Sequence, residues 1–241
     1  MNRILLIARR EIHGYLSSPL GYIIVAALLL IDGVAFNALA MADEKKSFDV
    51  LYWYFFFSCG IVAAAGVLFS MRLFAEERQT GTIVLLTASP ASEGELVVGK
   101  FLGGFGFLAI FIGLASYMPL LVVVNGRVSV GHLMVGYLGL LLEGAAIIAL
   151  GTLMSALTKS QLLAAVTSAV VVVFLFVSWF IAKKVDGPLG DVIGYLSMFD
   201  SHFVSAARGV LKLSTVVYTL SLTYIGLHGA TLVLASRRWR G

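Results

Sequence analysis

"AAVTSAVVVVFLFV", residues 164–177, carries no charge, and its polar and apolar side chains do not alternate. A strand in a membrane barrel would alternate lipid-facing and lumen-facing residues over segments of about ten. The run instead reads as a helix whose circumference meets hydrocarbon. A bilayer core of about 30 Å needs roughly 20 such residues.

Working outward from that run, six stretches qualify: 19–41, 51–73, 96–124, 132–157, 162–182 and 215–235, each bounded by charges, Gly or Pro. The whole chain agrees. It has 241 residues, 60% hydrophobic and 12% charged, with a mean hydropathy of +0.98, which leaves too little polar surface to coat a globule. The expected fold is an all-α membrane protein, one transmembrane domain over 1–241 with six transmembrane helices. An even number of spans puts both termini on one side. With the termini inside, that side holds ten Lys or Arg (Arg3, Arg9, Arg10, Arg72, Arg78, Lys100, Lys159, Arg237, Arg238, Arg240) and the other side seven. The excess favours cytoplasmic termini.

Residues 1–18 are too charged to span. On a helical wheel Ile4, Leu5, Ala8, Ile12, Tyr15 and Leu16 share one arc, with Leu6 and Ile7 as exceptions, and Arg3, Arg9, Arg10 and His13 lie opposite. The pattern predicts a helix lying in the inner membrane interface, turned into the first span at Pro19. Arg9, Arg10, Glu11 and His13 interrupt the apolar run before the core of a cleavable leader forms. Between Lys183 and Ser214, Leu196, Phe199, Phe203, Ala206, Val210 and Leu213 recur at helical spacing, which predicts a short amphipathic helix in the outer leaflet before the last span. "YWYFFF" (52–57) is expected to form an outer aromatic belt. Gly99, Gly103, Gly106 and Gly113 share one face of the third span, for close packing within the subunit or against a second copy.

Several chemistries find no support. A net charge of +4 is accounted for by basic residues at span ends that anchor to anionic lipid, without nucleic acid. Cys59 has no second cysteine to pair with. "GELVVGK" (94–100) matches the start of a phosphate-binding loop, but Phe101 replaces the hydroxyl that would hold Mg²⁺ and a membrane span follows. The four histidines are scattered, and no protease motif occurs. The seven Met residues follow no stripe and read as filler. The chain is therefore not expected to be an enzyme or to hold a metal or cofactor. Asp32 and Glu143 lie inside spans, where a carboxylate is costly; each either serves function or fixes packing through an interhelical hydrogen bond.

One charged stretch stands out, "FAEERQTGTIVLLTASP" (74–90). Arg72 to Gln79 keeps a helical composition after the second span, and Gly81 suits the C′ position that ends a helix. Thr82 then caps a short helix, Ile83 to Thr87, whose Ile83, Val84, Leu85 and Leu86 are apolar, and Ser92-x-x-Glu95 signals the start of the third span. Apolar groups rimmed by charge form a protein-docking knob, unless the leucines fold back on the bilayer.

"EERQTGTIVLLTASPASEGELVVGK" (76–100) resembles the segment of ABC-2 type permeases in which Glu, Gly-Thr and Leu-Leu-Thr-x-x-Pro precede a Gly-Lys at the third span. "GTLMSALTKSQLLAAV" (151–166) and "FDSHFVSAARGVLKLSTVVYTLSLT" (199–223) resemble the same family, in particular its gliding-motility and nitrous-oxide-maturation branch. The family often has Asn-Gln where this chain has Ser160-Gln161. The resemblance implies a multi-pass permease of a bacterial inner membrane, paired with a second copy or a related permease. It also implies docking to a cytoplasmic ATPase dimer that binds ATP and Mg. Glu76, Glu77, Arg78, Gly81, Thr82, Leu85, Leu86, Thr87 and Pro90 are then the expected coupling positions, with the interfacial helix and Lys159 nearby. The expected activity is export or force transmission, in the gliding branch through an auxiliary protein with a periplasmic domain. A membrane scaffold without a motor is the alternative from a different class, and an intramembrane enzyme a third.

Overall fold

The computed structural model describes residues 3–40, 46–83, 91–125, 129–185 and 187–238. In chain order the helices are α1 (Arg3–Leu16), α2 (Pro19–Ala35, continued by a π-helical turn Phe36–Ala40), α3 (Ser47–Ser70), α4 (Ala75–Gln79), α5 (Glu93–Ala115), α6 (Tyr117–Asn125), α7 (Val130–Leu157), α8 (Gln161–Ala182), α9 (Pro188–Leu196), a π-helical stretch Met198–Phe203, α10 (Val204–Ala207) and α11 (Leu213–Arg238). No strand occurs among the described residues. Six helices or helix pairs among them are long and apolar enough to cross a membrane. The chain is an all-α, multi-pass membrane protein.

Local signals set the helix starts. Pro19 occupies the first turn of α2, preceded by an extended Ser18, so the chain turns sharply out of α1. Ser92 and Glu95 form the expected capping box: the Ser92 hydroxyl accepts from the Glu95 N–H at 3.2 Å, and the Ser92 N–H donates to the Glu95 carboxylate at 2.8 Å.

The spine of the bundle is α7, against which α3, α5, α8 and α11 pack. In lipid, water does not drive helices together, so close backbone approach through small residues does much of that work. A Cβ on Gly226 of α11 would run into the Ala149 backbone of α7, and one on Gly151 would strike the Ser70 side chain of α3. Neighbours enclose α3 in part: within the aromatic run 52–57, Tyr54 and Phe55 are fully buried, Phe56 packs edge-on against Phe199, and Tyr52, Trp53, Phe56 and Phe57 keep partial exposure. Two rings of the run thus belong to the core and four lie at its margin. Apolar residues suited to hydrocarbon also lie on α2, α8 and α11, where Ile23, Leu30, Val170, Phe174, Leu220 and Ile225 are exposed.

α1 and α5 pack together through the glycine face. Added Cβ atoms would strike Ile7 at Gly99, Glu11 at Gly103 and Ile12 at Gly106, whereas Gly113 faces open space. Three of the four glycines therefore serve packing within the subunit. The wheel reading of α1 changes with this. Ala8 and Tyr15 are buried as expected, but Ile7 and Glu11 join the packed side while Leu5 and Leu16 are exposed. The recess left by the missing Cβ atoms takes Ile7, Glu11 and Ile12.

The segment after α8 also differs from expectation. It forms α9, a π turn and α10 instead of one helix, because the Ser197 hydroxyl accepts from the Asp200 N–H and starts a new element. Gly209, at φ +80°, then ends α10. Phe203 and Ala206 pack into α7 at Gly139, while Val210 and Leu213 stay exposed.

Gly103→Val should push α1 off α5, at about 1–3 kcal/mol, and raise hydrogen exchange over residues 3–16. Gly113→Val, with nothing within 4 Å, should leave that exchange unchanged. Equal effects would remove the intrasubunit reading of the stripe.

Candidate functional site

At the end of the bundle that holds the termini, α3 stops at Ser70 and residues 71–74 form a turn before α4. The sequence pattern predicts an unbroken helix here; Ser155 of α7 breaks it. Its hydroxyl accepts from the N–H groups of Phe74 and Ala75, both at 3.0 Å, and donates to the Met71 carbonyl at 3.1 Å. A side chain inserted into the backbone ladder is one of the few causes of a sharp kink. α4 then ends as expected: Thr80 is its C-cap and Gly81 follows at φ +73°.

The charged residues of α4 point into the bundle. Glu77 meets Lys100 of α5 at 2.9 Å and Arg10 of α1 at 3.3 Å. Glu11 of α1 meets the same two cations, at 2.8 Å and 3.2 Å. Arg10, Glu11, Lys100 and Glu77 thus form a closed ring of alternating charge that joins three helices. Lys100 is only 1% exposed, and an ammonium that deep needs counter-charges on more than one side. The Phe74 ring adds a cation–π contact at 5.3 Å.

Two further links hold α4. Glu76 pairs with Arg72 at 2.8 Å, and Arg72 lies over the Tyr15 ring at 5.3 Å. Tyr15 donates to the Phe69 carbonyl and stacks on Phe107, with ring centroids 4.7 Å apart. Burial, aided by the nearby Glu11 carboxylate, pushes the Tyr15 phenol well above its ordinary range, so it stays a neutral donor. On the other flank Arg78 donates to the Thr158 carbonyl at 3.0 Å, and the Gln79 side chain accepts from the Gln161 N–H at 3.4 Å. α4 is therefore tied to α1, α5, the 71–74 turn that follows α3 and the α7–α8 turn at once.

Of the coupling positions expected from the sequence, Glu76, Glu77 and Arg78 come together on α4, facing inward. Gly81 and Thr82 are exposed just beyond it, and Ile83 is helical. Leu85, Leu86, Thr87 and Pro90 lie outside the described residues. Lys159 is exposed beside Thr158. Asp32 and Glu143 are not part of this cluster. Each is buried in the bundle against α3, where Asp32 accepts from the Ser58 hydroxyl at 2.9 Å and Glu143 from the Cys59 thiol at 3.0 Å. Neither has an ion pair among the described residues. Their interhelical bonds join α2 and α7 to adjacent residues of α3.

Sequence reasoning missed Glu11, Lys100 and Ser155. Lys100 was readable only as a span-end cation or as the tail of a false phosphate loop. The signal available was a cation set between two glycines inside an apolar window, which calls for a buried partner. Glu11 is the one acid of α1; Ser155 gives no sequence signal.

The description of the ABC-2 family transporter protein matches residues 11–191. The chain belongs to this family. The match takes in five of the six spans, α4 and every member of the charge ring except Arg10. No curated protein matches the chain. As an ABC-2 permease it is the membrane subunit of an ABC transporter, and that membership implies an ABC ATPase partner.

Lys100→Met should leave two buried carboxylates facing one another and cost about 3–5 kcal/mol, read as a lower unfolding temperature in detergent. Adding Glu77→Gln should recover a large part of the loss, because the remaining ring is again neutral. Additive losses in this cycle would mean that the two residues are not coupled.

Proposed function

We propose that the segment from Arg72 to Pro90 of this ABC-2 permease is the lever through which a cytoplasmic ATPase drives the spans. One observation carries the reading: α4 is bound by charge and hydrogen bonds to α1, α5, the α7–α8 turn and the 71–74 turn that follows α3, while its far end at Gly81 and Thr82 is exposed. Work done at the tip reaches several spans through one rigid element. Glu76, Glu77 and Arg78 are then positioning residues that hold the lever. Thr82, Leu85, Leu86, Thr87 and Pro90 form the surface that meets the partner, as apolar residues rimmed by charge do.

In this mechanism the ATPase dimer binds ATP and Mg, and its closure moves the tip. The permease contributes no chemistry of its own, only two packings whose balance the partner shifts. The termini, α1 and α4 lie on the cytoplasmic side, consistent with the Lys and Arg excess there. A second copy or a related permease completes the pathway. Export, or force passed to an outer partner through residues 183–214 as in the gliding-motility branch, are the two outputs this arrangement serves.

The test is co-expression with the cognate ATPase. Leu85→Asp should reduce co-purification at least about tenfold, since a charge would be buried in the docking surface. Glu77→Gln should preserve co-purification but lower the permease-dependent stimulation of ATP hydrolysis several-fold. If both variants co-purify and stimulate like the native chain, α4 is not the lever.

A further inference from the structure

At the end of the bundle opposite the termini, the chain turns from α8 into α9 around a cleft of about 530 Å³. We propose that this cleft binds a zwitterionic group carrying a phosphate and a primary ammonium, the chemistry of a phosphatidylethanolamine headgroup.

Three elements build the walls. The last turn of α8 supplies Trp179, and its C-cap is Lys183; α9 supplies Asp191 and Tyr195; the π turn supplies Asp200. The floor is tight because a Cβ on Gly190 would strike the Val185 carbonyl, so α9 rests directly on the end of α8. The Lys183 ammonium lies 4.3 Å from the Trp179 ring centroid. Trp and Lys at the end of a spanning helix lie at headgroup depth.

Charge selects the ligand. Lys183, Asp191 and Asp200 are all exposed, and among the described residues none forms an ion pair. Helix starts account for where the two acids sit. The Trp179 ring holds the Lys183 ammonium at the same cleft, and it pairs with neither acid. A lone phosphate would meet two carboxylates there, and a lone amine would meet Lys183. A group with both signs satisfies all three side chains, its phosphate at Lys183 and its ammonium between the aspartates. A primary ammonium donates three hydrogen bonds and can serve both carboxylates. A quaternary ammonium donates none.

The test uses the purified full-length permease in detergent, titrated by native mass spectrometry. The probes are phosphatidylethanolamine, phosphatidylcholine and phosphatidylglycerol, with glycerophosphoethanolamine as the soluble headgroup. The native chain should bind phosphatidylethanolamine about fivefold or more tighter than the other two lipids, the scale expected for charge-assisted hydrogen bonds. Asp191→Asn with Asp200→Asn should abolish the preference, and Lys183→Met should weaken binding of the preferred lipid. Asp191→Lys should shift the preference towards phosphatidylglycerol. The substituted side chains are exposed, and circular dichroism verifies that each variant keeps its helix content. Binding of the soluble headgroup as tightly as the lipid upholds the site with a soluble ligand, and binding of the lipid alone upholds it with a membrane source. Equal affinity for the three lipids, or a preference that survives the double Asn variant, overturns it.

Discussion

An ammonium buried at the end of a membrane bundle cannot stay charged without counter-charge, and Lys100 sets much of the architecture around that need. Glu11 and Glu77 reach it from different helices, and Arg10 closes the ring on the far side. A buried ion pair gives little net stability over a well-packed apolar core, but removing one member is expensive. The ring therefore specifies position more than it stabilises: in the arrangement of α1, α4 and α5 each of its four charges meets two of opposite sign. Gly103 makes the arrangement possible, since the Glu11 side chain occupies the space where a Cβ would be.

The same logic runs through the bundle in uncharged form. Ser155 takes two backbone donors at the break after α3 and so makes α4 a separate, short, held element instead of the free end of a long helix. Asp32 and Glu143 each close one hydrogen bond to α3 within the apolar interior. In hydrocarbon, polar groups that find each other across helices fix register, while small residues fix separation. The two bundle ends differ in kind. One is cross-linked by matched charge, and the other carries an ammonium and two carboxylates around an open cleft.

The division of labour at α4 follows from geometry. Its acidic and basic side chains are spent on neighbours within the chain; under the proposed function they are the mount, and the stretch after Gly81 is the part that meets another protein. That proposal asks of the permease a stiff connection between a docking surface and its spans.

The amino-acid sequence by itself determined the spans, because roughly 20 apolar residues without alternation allow only a helix in a bilayer. It also determined the Ser92 capping box, the Pro19 turn and the Gly81 helix end, which depend on neighbours within a few residues. The tertiary structure alone decided what faces what. Of the aromatic run 52–57, Tyr54 and Phe55 went to the core, α1 presents Ile7 and Glu11 to the glycine face of α5, and Lys100 proved to be a member of a charge ring. Each of these rests on a partner far along the chain, with Glu11 and Lys100 separated by 89 residues. A helical wheel records one helix's own pattern; which side is buried is set by the shape and charge of the helix it meets.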